Sequence, residues 1–99
     1  MGVKIASKKD VPEGGCISVD APDGRAVALF NVDGDIFALE NTCPHAGGPL
    51  GEGSLEETVV TCPWHGWSFD VKTGECRNNP DVSAGCYKLT VKGEDIILE

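Results

Sequence analysis

The chain has only two histidines, and each closely follows a cysteine: Cys43-Pro44-His45 and Cys62-Pro63-Trp64-His65. Sixteen residues lie between His45 and Cys62. Thiolate sulfur and imidazole nitrogen are the donors that soft and borderline metal ions select. Two of each make four ligands, a complete shell for a zinc ion or for a mixed-ligand iron–sulfur cluster. With two His and five Cys in 99 residues, chance is a poor explanation for two such pairs, each opening Cys-Pro. Zinc modules usually pair Cys with Cys and His with His, at C-x₂₋₄-C and H-x₃₋₅-H. Here each segment mixes the two residue types, and C-x-H is tighter than that pattern. The residues alone leave two classes open: a redox protein with a mixed-ligand cluster, and a Cys2His2 zinc-stabilised interaction module.

Ligands on two separate segments need a scaffold that brings the segments together. The pattern along the chain is strand, turn, strand. Val3–Ala6 and Cys16–Val19 read as short strands. Asp23-Gly24 is a hairpin signal before the apolar run Ala26–Val32, and Asp33-Gly34 turns that run into Ile36–Leu39. Residues 41–54 are rich in Gly and Pro and lack periodicity, so they read as a loop. Thr58–Thr61 and Trp67–Asp70 read as strands on either side of a second loop, Cys62–Gly66. Arg77–Val82, with Asn78-Asn79-Pro80, reads as a third loop, and Tyr87–Val91 with Ile96–Leu98 as a last hairpin across Gly93. No window carries a sustained helical period with caps, so no helix is expected. Thirteen Gly and six Pro suit short strands and many turns, and an all-β sandwich or small barrel follows. The terminal strands are expected to form the base that carries the loops.

Net charge is −8 and the pI is about 4.6. This acidity argues against nucleic acid, whose phosphates demand a basic face, and against an anionic membrane surface. It suits a carrier steered to basic patches on its partners. Met1–Ser7 has no apolar core or cleavage site of a signal peptide, and no run of ~18 apolar residues exists to span a bilayer. The expectation is a cytoplasmic protein of a single domain, residues 1–99. An odd cysteine count is poor support for a disulfide scaffold. Cys16, Cys76 and Cys86 read as small buried hydrophobes, and a Cys76–Cys86 link is disfavoured in a cytosolic chain.

Cys43-Pro44-His45 with Cys62-Pro63-Trp64-His65-Gly66-Trp67 resembles the Rieske motif, C-x-H followed by C-x-x-H. Ser68-Phe69-Asp70 with Thr73-Gly74-Glu75 is similar to the Rieske ferredoxins of bacterial aromatic-ring dioxygenase systems, and the resemblance runs from about Gly34 to Ile97. It implies a Rieske fold: a small antiparallel β-sandwich or barrel base with a two-loop cluster-binding subdomain, at about residues 41–80. It implies one [2Fe–2S] cluster per chain, with Cys43 and Cys62 on the inner iron and His45 and His65 on the outer iron. The third loop, around Asn79-Pro80, would cover one side. The implied function is one-electron transfer from an NAD(P)H-dependent flavin reductase to a terminal oxygenase, by transient contacts of a monomer at the His45/His65 tip. The alternative within the family is the small Rieske subunit of an assimilatory NAD(P)H nitrite reductase. A terminal oxygenase needs a second, mononuclear iron, held by two His and a carboxylate. Both histidines are already spent, so the chain is expected to have no catalytic site of its own.

Two departures bear on the redox potential. The high-potential members of the family join their cluster loops by a disulfide, whose cysteines would fall here at Gly48 and Trp64. They also present a Ser and a Tyr hydroxyl to sulfur, at the positions of Trp67 and Phe69. Hydrogen bonds to sulfur favour the reduced, more negative state, so their loss lowers the potential. The expected midpoint is therefore at the low end of the Rieske range, near about −150 mV.

Overall fold

The computed structural model describes residues 2–42, 48–64, 66–79 and 81–99. Among them, nine strands form three antiparallel sheets of three strands each. The first joins the ends of the chain, β1 (Val3–Ser7), β9 (Asp95–Leu98) and β8 (Leu89–Lys92). The second is the meander β2 (Cys16–Asp20), β3 (Ala26–Val32) and β4 (Asp35–Glu40). The third is β5 (Ser54–Glu56), β6 (Val59–Thr61) and β7 (Ser68–Asp70).

The apolar run Ala26–Val32 is continuous because β3 is covered on both faces. Side chains alternate along a strand, so its residues divide between two cores. Ala28 and Phe30 join Leu39, Leu50, Val60, Cys62, Phe69, Val71, Cys76 and Ala84. Val27 and Leu29 join Val11, Ala21, Ala38, Ile96 and Leu98, against the sheet of the two termini. The one buried polar side chain among the described residues, Asn31, is satisfied at both ends. Its Nδ2 donates to the Val11 carbonyl at 2.9 Å, and its Oδ1 accepts the Gly34 N–H at 2.8 Å. The β3–β4 turn is Asp33-Gly34, both with positive φ (52° and 94°), the two-residue hairpin geometry that matches strand twist.

The third sheet begins earlier than the sequence suggests. Ser54–Glu56 is a strand, β5, paired with β6 in register Leu55↔Val60, although it opens inside the Gly/Pro-rich stretch. Three residues are too few to show a period of two. Two 3₁₀ turns, Lys8–Asp10 and Leu50–Glu52, also escaped the periodicity. Tyr87 and Lys88 lie outside the last hairpin, which opens at Leu89.

Loop one, between β4 and the 3₁₀ turn, is closed at its neck. Thr42 bridges Pro49, and the Leu50 N–H donates to the Asn41 carbonyl at 2.7 Å. The Asn41 side-chain oxygen accepts the Gly51 N–H at 2.8 Å and the Ser18 hydroxyl at 3.1 Å. Leu50, fully buried, drives the exit of the loop into the core. Gly51 lies so close to β2 that a Cβ there would strike the Ser18 hydroxyl and the Ile17 backbone, so only glycine fits.

Leu50→Ala is expected to cost about 2–5 kcal/mol, seen as a drop in thermal midpoint. Asn41→Ala should cost about 1–3 kcal/mol by leaving the buried Gly51 N–H without its acceptor. Asn41→Asp keeps an oxygen in place and should recover most of that loss. Equal midpoints for the two Asn41 variants would show that the side-chain oxygen does not close the loop.

Candidate metal centre

Of the four candidate ligands, Cys62 lies among the described residues; Cys43, His45 and His65 lie outside them. Cys62 follows β6 directly and is 1% exposed, in the same buried cluster as Leu50, Val60 and Phe69. Its N–H donates to the Trp67 carbonyl at 2.7 Å, and the hydroxyls of Thr61 and Ser68 meet at 3.2 Å just below. These contacts close loop two at its neck, as Asn41 closes loop one. A buried sulfur at the mouth of a pinned loop suits an inner metal ligand, because coordination stabilises the thiolate that an apolar shell would otherwise disfavour.

The third loop is tied to the second. The Arg77 N–H donates to the Ser68 carbonyl at 2.7 Å, and the Asn78 side-chain oxygen accepts the Ser68 N–H at 2.8 Å. Within it, the Asn79 carbonyl accepts the Val82 N–H at 3.1 Å and the Asn79 side chain accepts the Asp81 N–H at 3.0 Å. Pro80, expected beside Asn79 over the cluster, lies outside the described residues. Asn41 and Asn78 were not singled out by sequence reasoning. The available signal was an amide residue flanking each loop, a type that bonds backbone groups nearby.

The later glycines of loop one are held by the scaffold: the Gly51 N–H donates to the Asn41 side-chain oxygen at 2.8 Å and the Gly53 N–H to the Leu50 carbonyl at 3.0 Å. Gly48 is different. A Cβ on it would lie 2.7 Å from Trp64 Cγ and 3.0 Å from Trp64 Cβ. The positions where high-potential relatives would carry bridging cysteines are thus neighbours here. Trp64 is also 52% exposed, whereas Trp67 packs on the core and Phe69 is fully buried.

The remaining cysteines are unbridged. Cys76 is buried, as expected, and Cys16 is half-buried, its thiol donating to the Gly53 carbonyl at 3.4 Å. Cys86 corrects the expectation of a buried hydrophobe, because it is exposed where the chain leaves its bridge to Leu39. Partial burial still pushes its thiol up, and the Asp70 carboxylate adds to that. Burial likewise raises the Cys16 thiol. Both therefore favour the protonated form, the opposite of what a metal-binding or nucleophilic cysteine needs. Among the described residues no group of three or more His, Cys, Asp or Glu is arranged to hold a metal ion. None of the described helices is long and apolar enough to cross a membrane.

Residues 2–92 match the Rieske [2Fe-2S] domain family. The chain is 34% identical over 99 residues to the ferredoxin component of the p-cumate 2,3-dioxygenase system of Pseudomonas putida, covering 98% of this chain and 84% of that protein. Among solved structures, the Sphingomonas yanoikuyae B1 ferredoxin superposes with a TM-score of 0.91 at 28% identity, over 100% of this chain and 98% of that one. A chain of the complex of reduced oxygenase and oxidized ferredoxin in carbazole 1,9a-dioxygenase gives 0.87 at 30% identity, over 98% and 91%. Three antiparallel sheets, a buried Cys62 at the mouth of a pinned loop and the paired Cys–His segments agree with that match: the chain belongs to the Rieske [2Fe-2S] domain family.

Proposed function

We propose that Cys43, His45, Cys62 and His65 hold one [2Fe–2S] cluster, and that the chain is a low-potential ferredoxin delivering single electrons to a terminal oxygenase. One observation carries the ligand set. Leu50, at the exit of loop one, and Cys62, at the entry of loop two, lie in one buried cluster, which supports a ligand set shared by the two loops. The group supplies reversible one-electron chemistry when bound. The protein supplies the rest. Cys62 sits at the inner, dry end of the loops. His45 and His65 fit the outer iron, since an imidazole can offer a ring N–H to a partner. Two neutral imidazoles in place of two thiolates leave the oxidised core neutral rather than −2, which eases reduction relative to a four-Cys ferredoxin.

The partner reading rests on relatives. The P. putida protein is the ferredoxin component of a dioxygenase system, and the carbazole dioxygenase complex pairs ferredoxin with oxygenase. The net charge of −8 suits steering toward basic patches on an oxygenase and on a flavin-dependent, NAD(P)H-oxidising reductase. Encounter at the His45/His65 tip would be small and transient, as weak redox contacts are. We read the chain as one cytoplasmic, monomeric domain, with residues 41–80 as its cluster-binding part and no catalytic site. At the two positions where high-potential family members present hydroxyls to sulfur, this chain has Trp67 and the buried Phe69, neither of which carries a hydroxyl.

Dithionite-reduced protein is expected to show a Rieske EPR spectrum, with a mean g below that of four-Cys clusters. Cys62→Ala should abolish both that spectrum and the visible absorption; unchanged absorption would refute the ligand set, and a colourless, zinc-loaded wild type would establish the zinc module instead. Protein-film voltammetry should place the midpoint near about −150 mV. A value above 0 mV would overturn the low-potential reading, and a stable complex with a sirohaem subunit would replace the oxygenase by a nitrite reductase.

A further inference from the structure

Gly48 lies three positions after His45, the end of the first Cys–His segment, and Trp64 immediately precedes His65. They are sixteen residues apart in sequence and on different loops, yet they touch. Nothing in the backbone at 48 demands glycine, since its φ lies outside the left-handed region. What excludes a side chain there is Trp64 itself: a Cβ would lie 2.7, 2.9 and 3.0 Å from its Cγ, Cδ2 and Cβ. Those separations are tighter than van der Waals contact allows, so the indole lies directly on the face that a Gly48 side chain would occupy. Gly48 is buried, whereas Trp64 remains 52% exposed. The ring is thus a cover from the second loop laid over the backbone of the first.

We propose that Trp64 is a positioning residue that clasps loop two onto Gly48 of loop one and so holds the two ligand-bearing segments together. This rests on the proposed ligand set. The clasp works by contact alone and is therefore indifferent to the thiol–disulfide poise of the cell, unlike a covalent tie. The geometry shows what could substitute for it. Bonded cysteines hold their Cβ atoms about 3.5–4.5 Å apart, only slightly more than the 3.0 Å available between positions 48 and 64.

The test measures loss of cluster absorbance on chelator challenge, together with the EPR line shape of what remains. Trp64→Ala should load a cluster with a Rieske spectrum but lose it about tenfold faster, equivalent to about 1.4 kcal/mol. Trp64→Phe should stay within twofold of wild type. Gly48→Ala should accelerate loss in the wild-type background but have under twofold effect once Trp64 is Ala, because the clash is gone. The double substitution Gly48→Cys with Trp64→Cys should form a disulfide, restore slow loss when oxidised and forfeit it when reduced by a mild thiol. Should Trp64→Ala fail to load at all, the oxidised double-cysteine protein decides. Its loading and slow loss support the clasp; its failure to load with the disulfide formed overturns it. Wild-type loss rates in Trp64→Ala, or additive effects of Gly48→Ala and Trp64→Ala, would overturn the clasp and leave the ligands standing. A wild type without a Rieske spectrum would overturn the ligands, and the clasp with them.

Discussion

Everything in this molecule hangs on the burial of one strand from both sides. β3 offers Ala28 and Phe30 to one core and Val27 and Leu29 to the other, and each core fixes a different part of the protein. The odd-numbered face binds the sheet made by the two ends of the chain. The even-numbered face binds the third sheet and the exits of the ligand loops. A chain of this length buries only about 60–65% of its unfolded surface, so there is little apolar area to divide. The core on the site side is accordingly completed by Leu50, Cys62 and Cys76, residues that belong to the loops as much as to the scaffold. The fold and the candidate centre share one set of contacts, and ligation would contribute to folding as well as to redox chemistry.

Much of this was legible in the residues. The apolar run Ala26–Val32 and the Asp33-Gly34 turn lead directly to the central hairpin, because a doubly covered strand needs no alternation and the turn needs positive φ twice. The mixed Cys–His pairs pointed by their spacing to a cluster-binding family, and the match over residues 2–92 agrees with that. What escaped was whatever depends on approach rather than pattern. β5 is too short to show a period, and the 3₁₀ turn at Leu50–Glu52 is imposed by burial of a single leucine. Cys86 reads as a hydrophobe by type, yet its position beside the bridge to Leu39 leaves it in solvent. The glycines were the subtlest case. Their number suggested short strands and many turns, whereas Gly51 is small because β2 passes against it and Gly48 because an indole does.

The necks of the loops show how an irregular segment can be held without regular structure. Loop one is closed by both oxygens of Asn41, loop two by the Cys62–Trp67 backbone pair and the Thr61–Ser68 hydroxyls, and loop three by Asn78 on Ser68. Ser68 therefore serves two loops at once. Backbone groups that a loop would otherwise leave to water are paired at the point where the loop meets the scaffold. The residues beyond each neck are free to be chosen for chemistry, since the ordering is done below them.

This separation matters for an electron carrier. Its ligand geometry must be the same before and after an electron arrives, yet every donor aimed at sulfur to hold that geometry would also shift the potential. The contacts seen here avoid that conflict. They lie at the necks, or are apolar, as with Phe69 in the core and Trp64 on Gly48. Rigidity at the necks then comes from packing and from hydrogen bonds between protein groups, which leaves the potential of the proposed centre to the charge of its ligand set. A high-potential relative couples the two properties through the hydroxyls it adds. The proposed low potential of this chain would then follow from stiffening by carbon instead of by oxygen.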